Sequence, residues 1–156
     1  MFVVGVLLAW GIDQVTKVLA VERLADADPI VLVPEVLSLT FLRNPGAAFG
    51  MGASMTVVLS LVAVGVVVFV VKLSAELRDR TWAVALGLLL AGAVGNLTDR
   101  IFREPGPLRG HVVDFIDYGG FFVGNIADIY LTVAAAVIIV RSLQGVGLDG
   151  TREQAR

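Results

Sequence analysis

Two aspartates stand where an ionised side chain is costly. Asp114 is flanked by Val112-Val113 and Phe115-Ile116, and Asp128 alone interrupts the uncharged run from Phe121 to Val140. A charge deep in a bilayer costs about 2.5–3.5 kcal/mol or more, which makes both carboxylates functional candidates rather than decoration. Two carboxylates brought together in a low-dielectric site do not both ionise easily, so they titrate as a pair. The charged member takes a proton from water and the protonated member polarises a peptide carbonyl. That is the constellation of an aspartic protease. The sequence alone does not bring the two together, since Asp114 and Asp128 are separated in the chain.

Other polar residues cluster at the ends of apolar segments, all toward one predicted side. Asp13, Gln14 and Lys17 close the first segment, Arg43 and Asn44 precede the second, Asn96, Asp99 and Arg100 end the third, and Asn125 with Asp128 opens the fourth. Asp13 and Lys17 are four apart and share a helix face, as do Asn96, Asp99 and Arg100. The Asp13–Lys17 pair reads as a structural ion pair at a helix end. Asp99 and Arg100 read equally as interfacial charges, with Arg100 snorkelling, or as part of a site. Gly87, Ala91 and Gly95 recur every four residues, a stripe of small residues against which a neighbouring helix packs closely.

The elements that carry these groups are membrane spans. The 156 residues suit one domain, 57% hydrophobic and 17% charged with a mean hydropathy of +0.87, against about 45–50% and 25% in soluble domains. Charges are absent between Arg43 and Lys72 and between Arg80 and Asp99. Spans are therefore expected over roughly Ala53–Val71 and Trp82–Asn96, with further ones at Phe121–Val140 and Phe2–Ala20. The first lacks the positive flank of a signal peptide, although Ala25-Asp26-Ala27 is a nominal cleavage site. Between the first two spans, Ile30–Val33 and Val36–Phe41 around Pro34 predict a small β-hairpin or cradle over about residues 26–44 at the outer surface. Arg43 to Gly46 is expected as a turn.

The fold class expected is thus mainly α, integral membrane, with four transmembrane helices and a small extracytoplasmic β-hairpin. Lys and Arg are equally numerous on the two sides, but Lys72, Arg78 and Arg80 crowd one short link. That cluster places the link and both termini in the cytoplasm. Residues 144–156 are expected as a flexible cytoplasmic tail. The net charge of −2 argues against a nucleic-acid partner. The absence of cysteine and the single histidine, His111, remove thiolate chemistry and His-rich metal sites.

Taken in order, the polar groups resemble the motifs of the lipoprotein signal peptidases, the type II signal peptidases of bacteria. Asp13-Gln14-Val15-Thr16-Lys17 is similar to DQxTK, Arg43 to Gly50 to RNxGAAFG, Gly95 to Arg100 to GNxxDR, Val112 to Ile116 to VVDFI, and Asn125 to Asp128 to NxAD. Each motif is weak by itself, but five in order from residue 13 to 128 are specific. The resemblance implies a single membrane peptidase domain over residues 1–143, with Asp114 and Asp128 as the catalytic aspartates. It implies Asn44, Asn96, Arg100 and Asn125 as substrate-binding or supporting residues and Asp13, Lys17 and Asp99 as structural ones. The substrates implied are diacylglyceryl-modified prolipoproteins, cut before the lipidated cysteine by a monomer in contact with membrane lipid, with no cofactor and no metal.

Two departures stand out. Phe102 to Gly110 makes a longer link to the VVDFI motif than compact members have, with Pro105, Gly106 and Pro107 marking an exposed loop. Gly124 stands where the family usually has an aromatic residue, and Phe121 and Phe122 are expected to supply that wall. Two rival readings use the same residues. One is a proton-coupled transporter or assembly protein relaying through Asp13, Lys17 and Asp128, although the chain has no evident inverted repeat. The other is a Ser–Lys peptidase using Lys17 with Ser38, Ser54 or Ser60, none of which has the context of a nucleophile elbow.

Overall fold

The computed structural model describes residues 1–46 and 55–152. In chain order the elements are α1 (Phe2–Leu24), β1 (Ile30–Val33), β2 (Leu37–Asn44), α2 (Met55–Leu73), α3 (Arg80–Phe102), β3 (Val112–Asp117), β4 (Val123–Gly124) and α4 (Ile126–Leu143). All four helices are long and apolar enough to cross a membrane. The strands form one antiparallel sheet in the order β1-β2-β3-β4. Residues 53 and 54, expected at the start of the second span, lie outside the described residues, as do residues 47–50 of the RNxGAAFG-like motif.

The third helix is the hub. Of its most apolar stretch 56% is buried, against 17%, 17% and 11% for α1, α2 and α4. Small residues on α3 allow this. A side-chain carbon at Gly95 would lie 2.5 Å from Asp13 Oδ2 on α1, and one at Gly92 would lie 2.8 Å from the Ala127 carbonyl on α4. Gly87, on the expected stripe, faces the ring of Phe2, and Ala91 is fully buried. The outward faces are apolar: Leu7, Leu8, Ile12 and Val15 on α1, Leu61, Val62 and Phe69 on α2, and Ile139 and Val140 on α4 are all exposed. Such surfaces belong in lipid. The chain is a multi-pass membrane protein.

Three element boundaries differ from the sequence reading. α3 continues past Asn96 to Phe102, because the charges of its last turns are neutralised inside the protein. The β2 strand reaches Asn44, so Arg43 and Asn44 lie in a strand rather than a turn. α4 starts at Ile126 instead of Phe121, since Asn125 caps it and the preceding residues form β4 and its turn.

The largest departure is β3. Asp114, around which the sequence predicts no strand, sits in one opposite Leu42. Val112 to Phe115 are all buried, so this segment shows no alternation of polar and apolar residues by which a strand is recognised. Val113 and Phe115 pack against Ala20 and Leu24 of α1. Successive strand residues point to opposite faces, which turns the Asp114 carboxylate away from that cluster.

At the far end of the bundle, residues beyond Gln144 fold back instead of hanging free. Trp82 Nε1 donates to the Val146 carbonyl at 2.9 Å, and the Leu148 carbonyl accepts from the backbone N–H groups of Arg78 and Asp79, both at 3.0 Å. Val146 bridges to Arg152. Asp79 caps α3 by accepting from Trp82 N at 2.9 Å and pairs with Arg141 Nη2 at 2.6 Å. The returning segment supplies acceptors to the backbone of the α2–α3 link and to the buried Trp82 indole, a donor that requires one. Residues 153–156 are outside the described residues.

Candidate active site

The carboxylates of Asp114 and Asp128 are joined by a chain of asparagine amides whose orientations follow from their neighbours. Lys17 Nζ can only donate, so the atom of Asn96 that it meets at 2.9 Å is Oδ1. That turns Asn96 Nδ2 toward Asp128 Oδ1, at 3.0 Å. Likewise the backbone N–H of Asp128 donates to Asn125 Oδ1 at 3.1 Å, leaving Asn125 Nδ2 to donate to Asp114 Oδ1 at 2.6 Å and to Asn96 Oδ1 at 3.2 Å. The backbone N–H of Gly46 fixes Asn44 Oδ1 at 2.8 Å, and Asn44 Nδ2 donates to Asp114 Oδ2, also at 2.8 Å. Three amides thus present N–H groups to two carboxylates.

Asp128 is not in mid-helix. It is the N3 residue of α4, and its Oδ2 accepts the backbone N–H of Asn125 at 3.1 Å, closing a reciprocal capping box with Asn125. Each dyad oxygen therefore has one donor. Asp114 is 2% exposed. Burial lifts its carboxyl from 3.8 to about 6, against the pull of the Asn44 amide, and the neighbouring Asp128 charge adds to the rise.

Beneath this layer lies an ion cluster. Lys17 Nζ meets Asp13 Oδ2 at 3.0 Å, Asp99 Oδ2 at 3.1 Å and Asn96 Oδ1 at 2.9 Å, so its three protons are committed. Asp13 also accepts from Gln14 Nε2 at 3.0 Å and from the Ala127 backbone N–H at 2.9 Å, tying α1 to α4. Asp99 accepts from Arg103 Nε at 2.7 Å and from the Val113 backbone N–H at 3.1 Å, tying α3 to β3. Asp13, Lys17 and Asp99 therefore set the positions of the elements that carry Asn96, Asp114 and Asp128.

Arg100 is buried, with its Nη1 close to Gly46. That nitrogen has no hydrogen-bond partner among the described residues. The carboxylates of Asp114, Asp99 and Asp128 surround it electrostatically.

Several contributors were not singled out from sequence. Arg103 stands four residues from Asp99, a spacing that would have flagged it. Ser60, weighed as a nucleophile, is fully buried and donates to the carbonyls of Thr56 and Leu108, both at 2.8 Å. It is an anchor for the loop after α3. Ser38 bonds Asp117 at 3.2 Å, and Ser54 lies outside the described residues. Neither described serine bonds Lys17. The 102–110 loop exposes Phe102, Glu104 and Arg109 as expected, yet its backbone is held by Ser60 and by the Gly110 N–H on the Arg100 carbonyl at 3.0 Å. Of the expected aromatic wall, Phe122 takes the space over Gly124, where a side-chain carbon would lie 2.6 Å from its ring, while Phe121 is 96% exposed. Among the described residues no three His, Asp or Glu side chains are grouped to hold a metal.

Four spans whose polar ends meet around one buried and one half-buried carboxylate, under a small sheet, define a multi-pass membrane protein with an enzyme-like centre. The family model for signal peptidase II matches residues 5–144. The lipoprotein signal peptidase of Rhodococcus jostii RHA1 is 48% identical over 151 residues, covering 97% of this chain and 75% of that one. That of Leifsonia xyli subsp. xyli is 41% identical, covering 95% and 69%. That of Mycobacterium avium strain 104 is 46% identical, covering 93% and 81%. A bacterial membrane enzyme solved in meso at 1.9 Å superposes with a TM-score of 0.78 at 30% identity over 92% of each chain. A second, solved at 2.3 Å, gives 0.80 at 27% identity over 99% of this chain and 94% of the other. The chain belongs to the signal peptidase II family, the peptidases that remove signal peptides from prolipoproteins.

Proposed function

We propose that the peptidase is of the aspartic type, with Asp114 and Asp128 as its catalytic pair. The observation that carries this is the amide chain linking the two carboxylates, each of whose oxygens receives one donor. The pair shares a proton. In this reading Asp114, 2% exposed, holds it, while Asp128, more open and at the positive end of the α4 dipole, is the anion. Asp128 takes a proton from a water molecule, whose oxygen attacks the scissile carbonyl carbon. Asp114 donates its proton to the carbonyl oxygen, giving a tetrahedral diol. Collapse of the diol passes a proton to the amide nitrogen and breaks the C–N bond. The products are a signal peptide carboxylate and a free amino terminus on the lipid-bearing cysteine.

In this reading Arg100 Nη1, unpartnered among the described residues, donates to the substrate backbone. Asn44, Asn96 and Asn125 hold the pair and Asp13, Lys17 and Asp99 hold its frame. The substrates are diacylglyceryl-modified prolipoproteins, reached from the surrounding lipid, and the enzyme acts as a monomer. Both termini and the 74–79 link face the cytoplasm, supported by Lys72, Arg78 and Arg80, and the sheet faces outward. The chain has no cysteine. Single cysteines at Glu76 and Asp28 therefore test orientation, and labelling of Glu76→Cys by an impermeant reagent in intact cells would reverse it.

The deciding experiment is cleavage of a diacylglyceryl-modified precursor by purified protein in detergent, beside Asp114→Asn and Asp128→Asn, with folding checked by thermal melting. Both folded variants are expected to be inactive. Near-parental cleavage by either would discard the pair. Failure of the parent to cut would bring forward the transporter reading.

A further inference from the structure

At the end of the bundle opposite the sheet, α1 and α3 line a groove of about 350 Å³. Phe2, Gly5 and Val6 line one side, and Ala83 and Gly87 line the other. Two glycines line it: a side-chain carbon at Gly5 would meet nothing within 4 Å, and one at Gly87 would only touch the Phe2 ring, at 3.6 Å. The groove follows α3 from Arg80 to Leu88, and so runs roughly 12 Å along the helix. Its one ionised side chain is Arg80, at the end nearest the aqueous link.

The charge of Arg80 is left over. The residue is exposed and makes no ion pair or side-chain hydrogen bond with any described residue. The nearest acid in sequence, Asp79, is already committed to Trp82 N and Arg141. An apolar furrow running into the bilayer, headed by one free guanidinium at the interface, has the polarity of a phospholipid. Guanidinium groups bind phosphate oxygens in pairs, and the furrow matches the upper part of an acyl chain.

We infer that this groove is a binding site for one anionic phospholipid of the leaflet containing the α2–α3 link. The phosphate sits on Arg80 and one acyl chain lies along Gly5 and Gly87. The occupant comes from the bilayer, not from the precursor being cut, because the groove lies at the end of the spans away from Asp114 and Asp128. Bound there, the lipid wedges the two helices whose other ends meet at Asp13 and Gly95.

Native mass spectrometry of the full chain released from mixed phosphatidylglycerol and phosphatidylcholine nanodiscs tests this. The parent is expected to retain one phosphatidylglycerol preferentially. Arg80→Gln should lower that preference about fivefold, the effect of one basic residue near an anionic surface. Arg78→Gln, on the same link but outside the groove, should leave it unchanged. Gly5→Leu fills open space without a clash and should lose the bound lipid while melting at or above the parent temperature. Equal retention of both lipids by the parent, unchanged preference in Arg80→Gln, or undiminished binding in Gly5→Leu would each overturn the assignment.

Discussion

Replacing Lys17 with methionine tests whether the buried ion cluster frames the site. The side chain keeps most of its volume, and what is lost is a charge shared between Asp13 at 3.0 Å and Asp99 at 3.1 Å, both essentially unexposed. Removing one partner from a buried ionic group costs about 3–5 kcal/mol. The lower end applies, because Asp13 keeps Gln14 and the Ala127 N–H while Asp99 keeps Arg103 and the Val113 N–H. A loss of about 3 kcal/mol corresponds to a fall in melting temperature of roughly 6–12 °C for a chain of this size. Charge balance makes a sharper statement. Asp13, Asp99, Lys17 and Arg103 sum to zero, Lys17→Met leaves one uncompensated negative charge, and adding Asp13→Asn restores neutrality. The double variant should therefore melt above Lys17→Met, since the amide oxygen introduced by Asp13→Asn can still accept from the Ala127 N–H. Melting curves in detergent for the parent, both single variants and the double variant complete the cycle. A double variant that loses the sum of the two single losses would refute the argument.

Three other outcomes are expected. With its carboxyl held near 6 rather than 3.8, folded Asp114 keeps a proton that the unfolded chain has released between those values. Stability then falls as pH rises through about 4 to 6, by up to about 3 kcal/mol. Asp114→Asn lacks that loss, so its stability advantage over the parent should widen across the window and level off above it; a pH-independent difference in melting would contradict the burial argument. Gly124→Ala places a carbon 2.6 Å from the Phe122 ring and 2.9 Å from Asp128 Oδ2. The ring can move but the carboxylate is pinned, so kcat should drop at least about tenfold, equivalent to 1.4 kcal/mol, and Phe122→Ala should not rescue it. Parental kcat in Gly124→Ala is the contrary result. Ending the chain after Gln144 strips acceptors from Trp82, Arg78 and Asp79 and should cost about 1–3 kcal/mol with cleavage per folded molecule unchanged; an unaltered melting temperature would show that the returning segment contributes nothing.

Much of this molecule is legible in its sequence because the bilayer simplifies the code. Long uncharged runs gave two of the four spans, apolar segments broken only by Asp128 or by Asp13 and Lys17 gave the other two, and the cost of charge in lipid singled out Asp114 and Asp128. The spacing of Asp13 and Lys17 gave a pair that does form. What stayed hidden depends on partners distant in the chain. Asp99 and Arg100 look like the polar end of a span, yet α3 runs on to Phe102 because Lys17, far earlier in the chain, neutralises the carboxylate. β3 shows no alternation because α1 covers one face and the polar centre the other. Asp128 looks like mid-span because Phe121 to Val123 are apolar, although they belong to a turn and strand. The docking of residues 145–152 rests on the indole of Trp82, whose need for an acceptor has no local sign.

Asn125 holds two offices at once. Its side chain starts α4 by bonding Asp128, and the same amide fastens Asp114. Unwinding the first turn of α4 therefore takes a donor from both carboxylates at once. In a partly inserted or misassembled chain that turn has no frame, and the proposed catalytic pair does not exist even though both aspartates are present. A hydrolase built this way is silent until it is assembled. Its competence arrives with the last helix, so turnover itself certifies that the bundle has closed.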